Sequence, residues 1–264
     1  MALEAHKVGV VYPGGRRAID GVSAVLNPGQ ITVVVGPNGS GKSTLLRALA
    51  GVRSPENGTI TLDGAPISGV PHKERARRLA LVAQHPSVAF GYPVSRVIAF
   101  GAEGSGAGQT AVDRAIERFM LGDVLDAPFD ELSVGQRQRV SLARAWAQID
   151  AQAESYFLAD EPISAMDPKH AAATLAALSE LAERGVGVVV VLHDLSAAAR
   201  IGDQCVLLNT GGRLSGAGSA EDLLTPDVLS ELYDTPILRA NPVEIGPVLG
   251  SPMPSRIQAK PRVE

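Results

Sequence analysis

Residues 36 to 43 read Gly-Pro-Asn-Gly-Ser-Gly-Lys-Ser. Glycines at 36, 39 and 41 let a backbone bend until its N–H groups face inward around phosphate oxygens. Lys42 has the length to reach β- and γ-phosphates, and the Ser43 hydroxyl is a ligand type suited to Mg²⁺. With Pro37, Asn38, Ser40 and Thr44, this stretch forms a cradle for a nucleoside triphosphate. A second group of residues could act on what the cradle holds. In "YFLADEP" (156–162) an apolar run ends in Asp160 and Glu161. Asp160 is placed to hold Mg²⁺, and Glu161 to orient or deprotonate an attacking water. In "VVVVLHDL" (188–195) His193 ends another apolar run.

A third group is harder to place. In "ELSVGQRQRVSLARA" (131–145), Ser133 stands where a helix N-cap is expected. A hydroxyl and free N–H groups at a helix start form an anion site. The chain already has one phosphate cradle, so this site is redundant unless it serves the nucleotide of another copy. An ordinary capped helix accounts for the same residues.

These groups need elements to position them. The β-rich run Ile31 to Val35 precedes the cradle, and Leu45, Leu46 and Leu49 after it have helical spacing, with the helix starting near Lys42. Upstream, "HKVGVVY" and "GVSAVL" read as strands, with a turn at Asn27-Pro28-Gly29 before "QITVVVG". "GTITLDG" (58–64) is another strand, and "HKERARRLALVAQ" is a basic helix running into a strand that ends near Gln84. From about residue 93 the period changes. "VSRVIAFG", "AVDRAIERFMLG" and "VGQRQRVSLARAWAQ" read as helices, the first two separated by a mobile-looking loop, "GAEGSGAGQ". Strand–helix alternation then resumes: "SYFLAD", a helix from Pro168 to Arg184, "GVVVVLH", a short helix and "QCVLLN". Such alternation implies a parallel sheet covered by helices, with ligands at the carboxyl ends of its strands. His193 is therefore expected at the same edge as Gly36 and Asp160. The helical block between two α/β halves implies an inserted subdomain.

Composition narrows the classes. The 264 residues are 45% hydrophobic, enough for a full core, and the formal net charge of −4 argues against a nucleic-acid partner. Cys205 is the only cysteine, which fits a reducing cytosol. The start "MALEAHKVGV" has no secretory h-region, and the longest apolar run, "VGVVVVL" (186–192), is too short to span a bilayer. Work at a membrane would require docking on a protein that spans it.

Together these segments resemble the ATP-binding subunit of an ABC transporter, over residues from about 5 to 235. "GPNGSGKST" corresponds to Walker A, "LSVGQ" to the signature, "YFLADE" to Walker B with the catalytic glutamate, "SAMD" to the D-loop and the His193 segment to the switch histidine. The resemblance adds three assignments. Gln84 in "LVAQHP" matches the Q-loop glutamine, which contacts the metal and the reacting centre. Tyr12 matches the aromatic that stacks on adenine, and Asp167 is the D-loop aspartate. Two residues depart from the pattern: Val134 replaces a glycine in the signature, and Met166 replaces a leucine in the D-loop.

The resemblance implies an α/β P-loop NTPase cassette with an N-terminal antiparallel β subdomain and an inserted helical subdomain at about 86–150. The cassette would occupy 1–240, followed by a surface-running tail at 241–264. It also implies ATP and Mg²⁺ as cofactors, and a homodimer closing head to tail around two ATPs. Each site would then join one chain's Walker A to Ser133, Gly135 and Gln136 of the other. Partners would be integral-membrane permease subunits and a periplasmic substrate-binding protein, with this chain peripheral on the cytoplasmic face of a bacterial inner membrane. The stretches "AQHPSVAFGYPVSRVIAFG", "LARAWAQ" and "DLLTPDVLSELYDTPI" resemble the haem importer ATPases of the iron-siderophore, haem and cobalamin group. A siderophore or cobalamin importer remains an alternative. A soluble ABC ATPase on nucleic acid or ribosomes is another, although paired cassettes and long coiled-coil insertions are not visible. A P-loop kinase would leave "LSVGQ" unexplained.

Overall fold

A computed structural model describes residues 2–149, 155–240 and 248–251. In chain order the elements are β1 (Leu3–Val11), β2 (Arg17–Leu26), β3 (Ile31–Val35), α1 (Lys42–Leu49), β4 (Asn57–Leu62), β5 (Ala65–Pro66), α2 (His72–Arg78) and β6 (Leu79–Val82). A helical block follows, with α3 (Val94–Ser105), α4 (Gln109–Arg118) and α5 (Val134–Ile149). The chain continues through β7 (Tyr156–Asp160), α6 (Pro168–Glu183), β8 (Gly187–Val191), α7 (Leu195–Ile201), β9 (Gln204–Leu208), β10 (Leu214–Ser219), α8 (Ala220–Leu223) and α9 (Pro226–Tyr233).

The six-stranded sheet runs β10-β9-β3-β8-β7-β6, all parallel except the antiparallel edge strand β10. A four-stranded antiparallel sheet, β2-β1-β4-β5, forms the second layer. The valine-rich strands β3 and β8 are buried at every position, because both faces of the parallel sheet are covered. Their period of two divides the side chains between two cores. Val33, Phe157, Ala159, Val188 and Val190 join the core under the helical block and α6. Val34, Leu158, Val189 and Val191 join the core shared with α1 and the antiparallel sheet. Each fully buried side chain of this size contributes about 1.5–3 kcal/mol. Tyr156 joins the two sheets: its buried hydroxyl accepts from Leu3 N (2.9 Å) and donates to Leu26 O (3.0 Å). Burial pushes that phenol up to about 12.

The helical block differs from the sequence reading in one respect. "GAEGSGAGQ" was expected to be a loop, but α3 continues through Ser105, leaving 106 to 108 between α3 and α4. Gly101 explains the extra turn. A Cβ there would lie 2.0 Å from Arg144 O, so the glycine lets α3 pass directly against the backbone of α5. A residue chosen for close approach reads, in sequence, like one chosen for flexibility. Gly106 then ends the helix in a left-handed cap. The next helix ends earlier than its pattern suggests, at Arg118, and Arg139 from α5 donates to the carbonyls of Phe119 (3.0 Å) and Met120 (2.7 Å).

Among the described residues no helix is long and apolar enough to cross a membrane. Residues Val248–Gly250 pair with Leu238–Ala240, and Leu249 N bonds Ser196 Oγ on α7 at 3.0 Å. The rest of the tail expected from residue 241 lies outside the described residues.

Candidate functional site

The sheet order decides which residues meet. β3, β8, β7 and β6 are consecutive neighbours, and their carboxyl ends lead to the Gly36 loop, His193, Asp160–Glu161 and Gln84. Residues far apart in sequence are thereby delivered to one edge. Gly41 precedes α1 with φ 91°, and a Cβ on it would lie 2.4 Å from Ala18 O. Only glycine meets both demands, the left-handed turn and the contact with β2. Lys42 begins α1 and is 6% exposed. Its Nζ donates to Gly36 O (2.7 Å) and Pro37 O (2.9 Å), closing the loop on itself. Burial lowers the lysine pKa, opposed by the charges of Glu161 and Asp160.

The loop residues do not all face the same way. Asn38, Gly39, Gly41, Lys42, Ser43 and Thr44 line the cleft, whereas Gly36, Pro37 and Ser40 do not. Ser40 is fully buried: its hydroxyl has no hydrogen-bond partner, and its N–H donates to Pro37 O at 3.2 Å. Pro37 faces a separate cavity behind the loop, with Tyr233 and Asn209.

Asp160 is 2% exposed, and its Oδ1 has no hydrogen-bond partner. The Ser43 hydroxyl donates to the carboxylate; burial raises the carboxyl pKa, that bond opposes it, the Glu161 charge adds to the rise, and Arg47 and Lys42 offset part of it. A buried carboxylate oxygen without a donor, beside a hydroxyl that lines the cleft, is an oxygen donor set suited to Mg²⁺. Glu161, next in sequence, has φ 51° and turns its side chain out of the strand direction. Its Oε1 lies 2.6 Å from His193 Nε2. An ionised carboxylate only accepts, so Nε2 carries the proton in this bond. Both residues line the cleft, as does Gln84.

Tyr12 closes the other end of the cleft, which measures about 350 Å³. Its hydroxyl is 3.3 Å from Thr44 Oγ1, and the Arg53 guanidinium lies 4.5 Å from its ring centroid. The Thr44 bond lowers the phenol pKa, burial opposes it, and Arg47 and Arg53 lower it further.

Ser133, Gly135, Gln136 and Asp167 are elsewhere. They line a second cleft with Arg139, Ala165, Met166 and His170, and no residue lines both clefts. Ser133 Oγ accepts from Gln136 N (3.2 Å), while Gln136 Oε1 accepts from Ser133 N (2.9 Å). This reciprocal pair is a capping box, so both side chains serve the start of α5. A Cβ on Gly135 would lie 2.7 Å from Ala165 O, which seats the helix against the 164–167 turn. Val134 is helical, without a left-handed backbone, and 60% exposed. The backbone therefore does not require glycine there. Met166 fills its position by accepting from Thr174 Oγ1 at 3.4 Å. Asp167 caps α6: Oδ1 accepts from His170 N (3.0 Å), and Oδ2 lies 2.6 Å from His170 Nδ1.

Arg16, Ala18 and Arg47 line the first cleft, and Arg139 and His170 the second, without having been singled out in sequence. Arg47 was visible as i+4 from Ser43 on α1, and His170 as i+3 from Asp167. Arg16 arrives through a turn in which Tyr12 N bonds Arg16 O (2.9 Å), hinted at by "YPGGR". Nothing in the sequence marks Ala18.

The sequence profile of the family described as "ABC transporter" matches residues 19–164. The hemin import ATP-binding protein HmuV of Pseudomonas entomophila is 39% identical over 91% of this chain and 94% of its own length. The cobalamin import ATP-binding protein BtuD of Halobacterium salinarum is 36% identical over 93% of this chain and 62% of its own. Among solved structures, a bacterial Atm1-family ABC exporter with ATP bound is similar at 28% identity and a TM-score of 0.76, over 88% of this chain and 41% of that one. The dimeric cassette MJ0796 shares the fold at 24% identity and a TM-score of 0.74, over 83% and 98%.

Proposed function

This chain belongs to the ABC transporter family, and from that premise we propose that it hydrolyses ATP as a homodimer to drive haem import through separate permease subunits. The observation that carries the dimer is the separation of the two clefts. One holds Lys42, Ser43, Glu161 and His193, with Asp160 buried behind Ser43; the other holds Ser133, Gly135, Gln136 and Asp167. Both have the chemistry to meet a phosphate, yet they share no lining residue. Head-to-tail pairing puts one face of each kind at each nucleotide.

In this reading the base stacks on Tyr12, and the N–H groups from Gly39 to Thr44 surround the phosphates. Lys42 exchanges its two loop carbonyls for phosphate oxygens, a stronger charge-assisted pairing. Ser43, Asp160 and Gln84 would hold Mg²⁺, which would supply positive charge against the phosphates. Glu161 orients the attacking water and takes its proton, and His193 holds the Glu161 carboxylate in place. The capped start of α5 meets the γ-phosphate of the other copy's nucleotide, and Asp167, held on His170, stands beside it at the start of α6.

The cassette is taken to span 1–240 with its helical block at 86–150, the tail following at 241–264. Haem as cargo is supported by the 39% identity to a hemin importer's ATP-binding protein. Cobalamin is the second reading, favoured by the 36% identity to a cobalamin importer's subunit. The permeases would span the inner membrane, this chain would dock on their cytoplasmic face, and a periplasmic protein would deliver the cargo. The test is co-purification in detergent with a polytopic membrane protein, followed by ATP-driven uptake into vesicles holding the complex. Haem uptake without cobalamin uptake supports the proposal. Cobalamin uptake alone replaces the cargo, and ATPase activity with no membrane partner removes the transport reading.

A further inference from the structure

Tyr12 is held from behind. Arg53 lies beyond the end of α1, and its guanidinium carbon is 4.5 Å from the Tyr12 ring centroid. The same side chain donates from Nη2 to Val11 O at 3.0 Å, so it is tied to the residue next to the ring it covers. Arg53 does not line the nucleotide cleft. It lines a separate depression with Ser54, Pro55 and Arg75, whereas Tyr12 lines the cleft itself. The guanidinium therefore covers the ring face turned away from the cleft. Two further contacts hold the residue: the ring hydroxyl meets Thr44 Oγ1 at 3.3 Å, and the backbone N–H donates to Arg16 O at 2.9 Å.

We propose that Arg53 is a positioning residue for base recognition: backed by its guanidinium, Tyr12 presents a fixed flat face on which the adenine base stacks. This rests on the reading of Tyr12 as the base contact. An unsupported exposed aromatic would have to be ordered when the base arrives, and that ordering would weaken binding. A planar guanidinium stacks on a ring, while a lysine ammonium supplies only a point charge, so the two are not equivalent here. Arg53 lines neither the phosphate loop nor the part of the cleft around Glu161. It acts on affinity for the base and leaves the chemical step alone.

The test compares wild type, Arg53→Ala, Arg53→Lys, Tyr12→Ala and the double variant Arg53→Ala/Tyr12→Ala. Calorimetry gives the Kd for ATP and for inorganic tripolyphosphate, and steady-state kinetics gives KM and kcat. Arg53→Ala should weaken ATP binding about three- to tenfold, with tripolyphosphate affinity and saturated kcat unchanged. Arg53→Lys should recover only part of the loss. The double variant should bind ATP no more weakly than Tyr12→Ala alone, because Arg53 has no ring left to support. Equal losses for ATP and tripolyphosphate would overturn the proposal in favour of a general charge effect. A loss in Tyr12→Ala with none in Arg53→Ala would overturn it while leaving Tyr12 as the base contact. Unchanged ATP affinity in Tyr12→Ala would remove the Tyr12 reading, and the proposal with it. Thermal melts of each variant separate these outcomes from misfolding.

Discussion

Glu161 Oε1 and His193 Nε2 lie 2.6 Å apart across the carboxyl ends of neighbouring strands β7 and β8. Neither strand could set this pair alone. The register places Asp160 opposite Val191, and the left-handed turn at Glu161 then swings its carboxylate toward the residue two past Val191. The pair stands beside Lys42 and Gln84 at the mouth of the cleft.

Glu161→Gln should keep ATP affinity and nearly abolish turnover. Lys42, Ser43 and Asp160 remain, while the water-orienting carboxylate is lost. The variant should accumulate as an ATP-bound dimer on size exclusion. Wild-type hydrolysis rates in it would remove Glu161 from the chemistry.

Lys42→Ala should weaken nucleotide binding itself. A charge-assisted hydrogen bond is worth about 1.5–3 kcal/mol, or roughly one to two decades in Kd. Calorimetry with ATP checks this, and unchanged affinity would contradict the cradle.

Asp160→Asn should abolish Mg²⁺-dependent hydrolysis yet raise the melting temperature of the metal-free chain. Asp160 is 2% exposed with Oδ1 unpartnered, and burial raises its pKa. The sign follows from linkage. Between the unfolded and the raised folded pKa the native state holds more protons, so the wild type gains stability as pH falls through that window. The advantage of Asp160→Asn should therefore be full above the raised pKa and shrink on acidification. A melting temperature lowered at neutral pH would contradict the account.

Gly101→Ala should destabilise the fold. The new Cβ would lie 2.0 Å from Arg144 O, a backbone atom, so α3 and α5 must separate. Overpacking of this kind costs about 1–3 kcal/mol, and each kcal/mol lowers the Tm by roughly 2–4 °C in a chain of this size. An unchanged Tm would restore the loop reading of 101–105.

The sheet edge was legible because valine runs and the glycine-rich turn are local signals, and the rule that ligands sit at carboxyl strand ends joins them. The placement of Asp160, Glu161 and His193 at that edge followed from their strand ends, while their roles came from the P-loop upstream and the family resemblance. Arg53 and Ala18 were not legible: both act through contacts between segments that no period or spacing encodes. Gly101 was misread because flexibility and close approach select the same residue. Ser133 was readable as a cap, and the structure gives it that role together with Gln136. Capping α5 and meeting a partner's nucleotide are separable roles for Ser133, and one substitution separates them.

Ser133→Asp does so. Aspartate caps helices as well as serine, so α5 should keep its start and the Tm should hold. The new carboxylate, however, would face the partner's phosphates. The variant should bind ATP as a monomer, fail to dimerise and fail to hydrolyse. Mixed with Lys42→Ala chains it should regain activity. In the mixed dimer, the intact Lys42 cradle of the Ser133 variant meets the intact Ser133 face of the Lys42 variant, and the other site carries both lesions. ATPase activity in the mixture, absent from either variant alone, is the predicted result. Normal dimerisation and turnover by Ser133→Asp alone, or no activity in the mixture beyond the sum of its parts, would contradict the shared site.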